Sequence, residues 1–581
     1  MRGRWRLFAL GWALILAGSL LAWAVQTSLG QVRVTDVRFA APGGVVMSGL
    51  LYVPKGADAA HPAPAVLASH GYINTREMQS PFAIELSRRG FVVLAMDMTG
   101  HGQSGGNVGA DAFGGPAALA FLAAQPMVDK ANIGLEGHSM GGAPVLSAAV
   151  ARPDGYKSMV LEGSTVGLFG PPRPGTPIWP RNLAVVFGQY DEFAPLMWGA
   201  PKGSMVGQSP RLRALFGANF PVAEAKLYGD LAEGTGRIFY NPPVTHPWEH
   251  FSRAGVGHAV DWFQKTLAGA KSPRDPMDQV WLWKEVGTGI GFLGLVVMLL
   301  GGFSLLLATP VFSPLAQPAQ PVGERRGPSW RIALLLVAVV PAATFFPFMK
   351  LGFLFLPNRF FPQWVHNQLL VWALLNALIT IGLAVVTHAG RPSFVGTDRV
   401  RGAALAVATA ALGYVSLALV DAVFKVDYRF WVLGLKPLDA AHAAIFAAYV
   451  VPWTLYFLVA TRALHTALAV KGEGETAQLV TAALAMSGGF VLLLALEYGW
   501  LFATGFLLTP AEPLSTIIAI QFVPLLMVLG VIAAFTYRRT NSATPGAVIC
   551  AILVAWYVAG GTAIHWSPDF PMNLPGAPRA K

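Results

Sequence analysis

The chain has 581 residues, 54% of them hydrophobic and 12% charged, with a net charge of +11 at pH 7. Soluble domains carry roughly 25% charged residues, so this composition argues against a wholly water-soluble protein and for a surface that largely faces lipid. The single cysteine, Cys550, excludes an intrachain disulfide, and no basic stripe with interleaved aromatics supports nucleic-acid binding.

Arg2, Arg4 and Arg6 precede an apolar run from 7 to 25. A positive flank before such a run reads as an export signal or a signal anchor, and a span needs about 20 residues. Ala22-Trp23-Ala24 offers a small-residue cleavage site. The uncleaved anchor is the preferred reading and assigns 1–30 to a first transmembrane helix. Either reading places the following domain outside the cytoplasm.

Residues 31–280 have a different character: near-neutral charge and short β-branched runs between helical patterns and glycine turns. Strands are predicted at 32–39, 45–53, 65–69, 91–97, 133–136, 158–162, 183–187 and 238–240. Helices are predicted at 77–89, 115–124, 142–151 and 253–268. Strands alternating with helices predict the α/β class, a mostly parallel sheet covered on both faces.

Residues 281–570 read as an all-α polytopic membrane domain, followed by a tail at 571–581. Apolar segments lie at 286–308, 331–348, 367–387, 402–424, 441–461, 478–501, 514–536 and 545–563, each about long enough to cross a bilayer. With the N-terminus inside, the inner loops carry Glu324-Arg325-Arg326, Arg391, Arg399, Arg401, Arg462, Lys471 and Arg538-Arg539. The outer loops are poorer in cations, with Lys350, Arg359, Lys425, Arg429 and Lys436 as exceptions. This bias fits about nine spans of the cytoplasmic membrane and an outer C-terminus. Asn376, Asp421, His442 and Glu497 lie in or near spans, where interface or packing roles are the ordinary explanation and a pathway is the functional one.

The chemistry-bearing motif is Gly137-His138-Ser139-Met140-Gly141, after the strand at 133–136 and before the helix at 142–151. A serine on a sharp strand-to-helix turn projects its hydroxyl above the sheet, and glycines on either side relieve the crowding. The helix behind it aims N–H groups and a positive dipole end at developing negative charge.

Residues 31–272 resemble the α/β-hydrolase superfamily, nearer its serine-esterase and dienelactone-hydrolase-like branches. The resemblance is carried by His70-Gly71-Tyr72, by Asp97-Met98-Thr99-Gly100-His101-Gly102-Gln103-Ser104, and by the stretch from Val128-Asp129 to Gly142. It does not extend to the membrane region. It implies Ser139 as nucleophile, Asp191 as acid and His246 as base, in the family's chain order. It also implies that the backbone N–H groups of Tyr72 and Met140 hold the oxyanion. Glu192 is the rival acid, with its side chain expected to point elsewhere, and His250 and His258 are rival bases. His258 sits in a helical run and reads as packed, while His138, His70 and His101 read as structural.

No P-loop, dinucleotide fingerprint or metal-ligand spacing is present, so no cofactor and no metal are expected. The expected substrate is an acyl ester, and the membrane setting points to an apolar or lipid-derived one. An acyltransferase, a peptidase, and a transporter with a regulatory hydrolase-like domain are the alternatives. The segments 165–181 and 193–237 are longer than a minimal hydrolase needs. Their Phe169, Trp179, Leu196, Met197, Trp198, Met205, Leu215, Phe216 and Phe220 either line an acyl pocket or pack on the sheet.

Overall fold

The computed structural model describes residues 2–321, 323–386 and 398–568. The expectations for Arg391, for the side chains of Arg2 and Arg4, and for the tail at 571–581 lie outside the described residues.

The chain forms two compact units. One contains Leu20–Val286 and is built on an eight-stranded sheet in the order β1-β2-β4-β3-β5-β6-β7-β8. The strands are β1 Val32–Ala40, β2 Val46–Pro54, β3 Ala63–Ser69, β4 Val92–Met96, β5 Val128–His138, β6 Ser158–Glu162, β7 Leu183–Val186 and β8 Arg237–Tyr240. β1, β2 and β4 pair antiparallel, and every later pairing is parallel. β5 starts at Val128, five residues before the predicted 133, because its polar beginning, Val128-Asp129-Lys130-Ala131-Asn132, lacks a strand pattern. Only Val128 there pairs, opposite Ala63, across an irregularity before regular pairing resumes at Ala65 and Ile133.

Alternation along the buried strands divides the core in two. Ala65 and Leu67 of β3 and Leu94 and Met96 of β4 join Leu119, Val145 and Leu146 from the helices Gly115–Ala123 and Gly142–Ala151. Val66, Ala68, Val93 and Ala95 face Phe82, Leu86, Val256 and Trp262 from Ser80–Arg88 and Arg253–Thr266. Side chains of period two therefore feed both faces, as a helix-covered parallel sheet requires. Full burial of each Leu, Val or Phe contributes roughly 1.5–3 kcal/mol. Among the described residues, the same unit also contains Trp500–Pro513 and 561–568, which the sequence assigns to the membrane region.

The other unit is helical. Among the described residues, eight helices are long and apolar enough to cross a membrane, including Trp5–Gln26, Trp281–Leu306, Trp364–Val386 and Arg399–Phe424. The expected span at 331–348 is two helices instead, Pro328–Ala343 and Phe345–Gly352, bent by 43°. Pro341 lies just before the break, where its missing N–H and its ring disrupt the helical ladder.

The first helix is locked by glycines seven residues apart. A Cβ on Gly11 would overlap Met298, one on Gly18 would overlap the Gly287 carbonyl, and one on Gly301 would overlap Phe8. Backbones this close gain dispersion contact where lipid supplies no hydrophobic drive. Asn376 is also spent on packing: its amide donates to the Trp372 carbonyl at 2.9 Å and to Thr344 Oγ1 at 3.0 Å.

Candidate active site

β5 ends at His138, and the chain turns through Ser139–Gly141 into the helix Gly142–Ala151. Ser139 has φ of 55°, a conformation that costs a non-glycine residue about 1–3 kcal/mol. The glycines are required by proximity. A Cβ on Gly137 would overlap the Gly141 carbonyl oxygen, and one on Gly141 would overlap that of Ser69. Met140 stands in the first turn after the elbow, where N–H groups have no intrahelical acceptor.

Asp191 follows β7 and His246 follows β8, where the chain leaves the same edge of the sheet. They are 55 residues apart and meet at 2.7 Å, His246 Nδ1 to Asp191 Oδ2. Both are buried. The other Asp191 oxygen, Oδ1, accepts the Phe193 N–H at 2.6 Å. Burial pushes the imidazole pKa down. The charge and hydrogen bond of Asp191, and then the charge of Glu192, outweigh it, so the net shift is upward from the ordinary histidine value. With Nδ1 committed to Asp191, Nε2 is the nitrogen left for a reacting group.

The loop after β6 touches both partners. Ser164 Oγ donates to the Ser139 carbonyl at 2.6 Å, and a Cβ on neighbouring Gly163 would lie 3.0 Å from His246 Cε1. From the other side, a Cβ on Gly71 would lie 2.9 Å from that of Ser139. Tyr72, next along, therefore starts beside the elbow. Among the described residues the Ser139 hydroxyl makes no hydrogen bond to His246. Such bonds are commonly long before substrate binds.

Several residues support this pair, and of them only Glu249 carried no sequence signal. Glu192 leaves the imidazole ring to Asp191, and its Oε2 accepts the His246 backbone N–H at 2.8 Å. It thus holds the backbone of the residue whose ring Asp191 holds. His138 Nε2 donates to the His246 carbonyl at 3.2 Å and lies 3.3 Å from His250 Nδ1. Burial, then the neighbouring His250 and His246, hold its pKa well below the usual histidine value. Glu249 Oε1 accepts the Gly188 N–H at 2.5 Å, and burial, then Asp191 and Glu162, raise its pKa well above the carboxylate range. His258 is stacked on Tyr240 at 3.9 Å, and burial holds its pKa down to about 4.

The fold also gathers His138, His246 and Glu249 closely enough for their ligand atoms to lie within 4.8 Å of one another, a grouping that sequence spacing did not suggest. The nearest ring nitrogens are already engaged, His246 Nδ1 by Asp191 and His138 Nε2 by the His246 carbonyl. The arrangement suits an oriented imidazole better than a cation.

The loops that frame the elbow are built from the other motifs. His70 donates through Nδ1 to the Gly71 carbonyl at 2.8 Å and accepts the Met98 N–H through Nε2 at 3.2 Å. Asp97 accepts from Arg76 N at 2.8 Å, Ser48 Oγ at 3.0 Å and Gln103 N at 3.0 Å. Of the longer segments' apolar residues, Trp179, Met197, Trp198, Leu215 and Phe216 are buried in the sheet core, while Leu196 and Phe220 are exposed. Phe193 packs against the His246 ring at 4.7 Å.

Residues 60–192 match the family model described as serine aminopeptidase, S33. An uncharacterized protein of Mycobacterium tuberculosis, found in two strains, is 37% identical over 95 residues, 16% of this chain. The match spans 33% of that protein's length. Among solved structures, the dienelactone hydrolase of Anabaena variabilis is similar at 20% identity, covering 41% of this chain and 99% of that one, with a TM-score of 0.30. The Pyrococcus furiosus esterase Pf2001 is similar at 17% identity, covering 42% of this chain and 94% of that one, with a TM-score of 0.31. The fold is read from this chain's own strand order and elbow, not from those scores. With its crossover-connected parallel strands and its serine on a strained elbow, the unit containing Leu20–Val286 has the α/β-hydrolase fold, and the chain also carries a series of helices long and apolar enough to cross a membrane.

Proposed function

We propose that the chain is a membrane-anchored serine hydrolase that cleaves an acyl ester outside the cytoplasm. The observation that carries this reading is the buried 2.7 Å pair of His246 and Asp191 beside the elbow serine. Ser139 Oγ attacks the acyl carbonyl as its proton passes to His246 Nε2. Asp191 stabilises the imidazolium, and the N–H groups of Tyr72 and Met140 receive the oxyanion. The leaving alcohol takes the proton back from His246, and water then releases the acyl group by the reverse roles.

A fluorophosphonate probe tests the assignment. The wild-type protein is expected to label, and Ser139→Ala is expected not to. Labelling that persists in Ser139→Ala refutes it.

The outer location rests on parity. Lys202 Nζ donates to the Thr504 carbonyl at 3.4 Å, and Phe502 meets Tyr190 edge-on at 5.2 Å, so residues 502–504 lie on the hydrolase side. An even number of crossings must then separate Val286 from Trp500. The helices Trp281–Leu306, Trp364–Val386, Arg399–Phe424, Ala440–Leu468 and Glu475–Thr504 make an odd number, so the bent pair Pro328–Gly352 crosses too. With the cation-rich loops inside, the hydrolase lies outside. The tight glycine packing of the first helix favours an uncleaved anchor.

A lipid-derived substrate is favoured by the loop between the helices Glu475–Thr504 and Pro513–Thr540. Phe506 and Leu508 in that loop and Trp500 and Phe502 in the last turns of the helix before it are exposed, and Phe502 packs on Tyr190, the neighbour of Asp191. An apolar surface thus lies beside the loop that carries Asp191. Long-chain esters should be preferred over short soluble ones, and the reverse order refutes this substrate class. The serine aminopeptidase description of the matching family model favours a second reading, a peptidase on the same three residues. A matched panel of ester and amide substrates separates the two.

A further inference from the structure

The segment after the helix Thr544–Gly561 runs back into the hydrolase unit. Ile564 is bound there like a short strand. Its N–H donates to the Gly100 carbonyl at 2.8 Å, and its carbonyl accepts the Val108 N–H at 2.8 Å. Ala563 is fully buried and joins the core on the elbow side of the sheet. His565 is also fully buried, and its Nε2 lies 3.0 Å from the hydroxyl of Tyr72, a residue 493 positions earlier.

The direction of that hydrogen bond follows from the other ring nitrogen. Nδ1 lies 3.1 Å from the Ala563 carbonyl, which can only accept, so Nδ1 carries the hydrogen. In the neutral ring Nε2 is then the acceptor, and the Tyr72 hydroxyl donates to it. Burial, opposed by the Ala563 carbonyl, holds the His565 pKa down to about 4, so the ring stays neutral wherever His246 works as a base. The Tyr72 ring is clamped between His565 at 5.7 Å and His101 at 6.0 Å, both edge-on. His101 in turn packs against His70, whose Nδ1 holds the Gly71 carbonyl. The loop Gly71-Tyr72 is therefore fixed at its carbonyl by His70 and at its side-chain tip by His565.

We propose that His565 is a positioning residue for the oxyanion loop: by accepting the Tyr72 hydroxyl it sets where the Tyr72 N–H points, so residues 562–565 complete an active site otherwise built before residue 250. The inference rests on the assignment of Tyr72 N–H as an oxyanion donor. Its consequence is that hydrolysis depends on the segment beyond the last apolar helix, although the three reacting side chains precede the bundle.

The test uses the full chain reconstituted in lipid, with p-nitrophenyl octanoate as substrate and a fluorophosphonate as label. His565→Ala and Tyr72→Phe are each expected to lower kcat about ten- to a hundredfold, with KM within about twofold, because a donor displaced by an ångström loses transition-state contact but little ground-state binding. The double variant should fall no further than either single one, since both delete one hydrogen bond. His565→Gln, whose amide oxygen can accept the same hydroxyl, should recover part of the loss. Wild-type kcat in Tyr72→Phe, or losses that add in the double variant, overturns the role of His565. Should His565→Ala fail to fold, Tyr72→Phe decides alone. Labelling that survives in Ser139→Ala is a separate failure, that of the nucleophile, and takes this inference with it.

Discussion

Asp191 grips His246 at the ring while its neighbour Glu192 grips the same residue at the backbone, at 2.7 and 2.8 Å. Two adjacent carboxylates thus hold one histidine at both ends, and they have separable roles. Asp191→Asn should lower kcat about 10³–10⁴-fold, because the amide favours the wrong imidazole tautomer. Glu192→Gln keeps an acceptor for the His246 N–H and should stay within about tenfold of wild type, whereas Glu192→Ala leaves that buried N–H unpaired at about 1–3 kcal/mol. Steady-state kinetics and thermal unfolding of the three variants check the order.

The pH profile follows from the same pair. The base must be neutral to accept a proton, so kcat/KM rises with pH through the His246 pKa. That pKa is shifted upward because Asp191 and Glu192 outweigh the effect of burial. The acid limb should therefore lie above the ordinary value of about 6.5, and in Asp191→Asn it should move down. A limb that moves up on removing the carboxylate contradicts the pairing.

The elbow glycines set a steric limit. Gly141→Ala places a methyl group into the Ser69 carbonyl, and overpacking of this kind costs about 1–3 kcal/mol. Its unfolding temperature should drop and fluorophosphonate labelling should fall with it. An unchanged unfolding temperature would show that the strand-to-helix turn is looser than drawn.

Glu162 lies in the core with neither carboxylate oxygen hydrogen-bonded, and burial, then Glu136, raises its pKa well above 4.5. The folded state therefore binds a proton that the unfolded state releases. This group's contribution to stability is fully present below the unfolded pKa and is lost as pH rises toward the folded one. Glu162→Gln, which cannot ionise, should gain stability relative to wild type as pH rises from 5 to 8, read as a growing difference in unfolding temperature. A difference independent of pH contradicts a protonated Glu162.

Topology can be read with thiols, because Cys550 is fully buried. Ala511→Cys, exposed in the loop beside the hydrolase, should react with an impermeant maleimide from outside. Gly474→Cys, exposed between Ala440–Leu468 and Glu475–Thr504, should react only after the membrane is opened. Labelling of both from one side would remove the bent pair from the list of crossings.

Much of the molecule is legible along the chain because it is locally encoded. Short continuous apolar runs such as Val92–Met96 declare buried strands, and long ones such as 514–536 declare helices apolar enough to span. The elbow is legible because only glycine fits at 137 and 141. The bent helix pair was hidden because its apolar composition continues through the break, with Pro341 the one cue. The hold of Glu192 on the His246 backbone was hidden because a pattern of residue types gives no side-chain direction once the chain leaves a strand.

From composition and order alone came the α/β alternation, the serine turn and the long apolar helices, while the family resemblance implied Ser139, Asp191 and His246. Tertiary packing alone decided which carboxylate meets the imidazole ring, that Ser164 and Gly163 tie the elbow to His246, and that His565 returns 493 residues later to Tyr72. The reason is physical: periodicity and turn chemistry act over a few residues, whereas contacts across tens or hundreds of residues exist only once burial has fixed the sheet order.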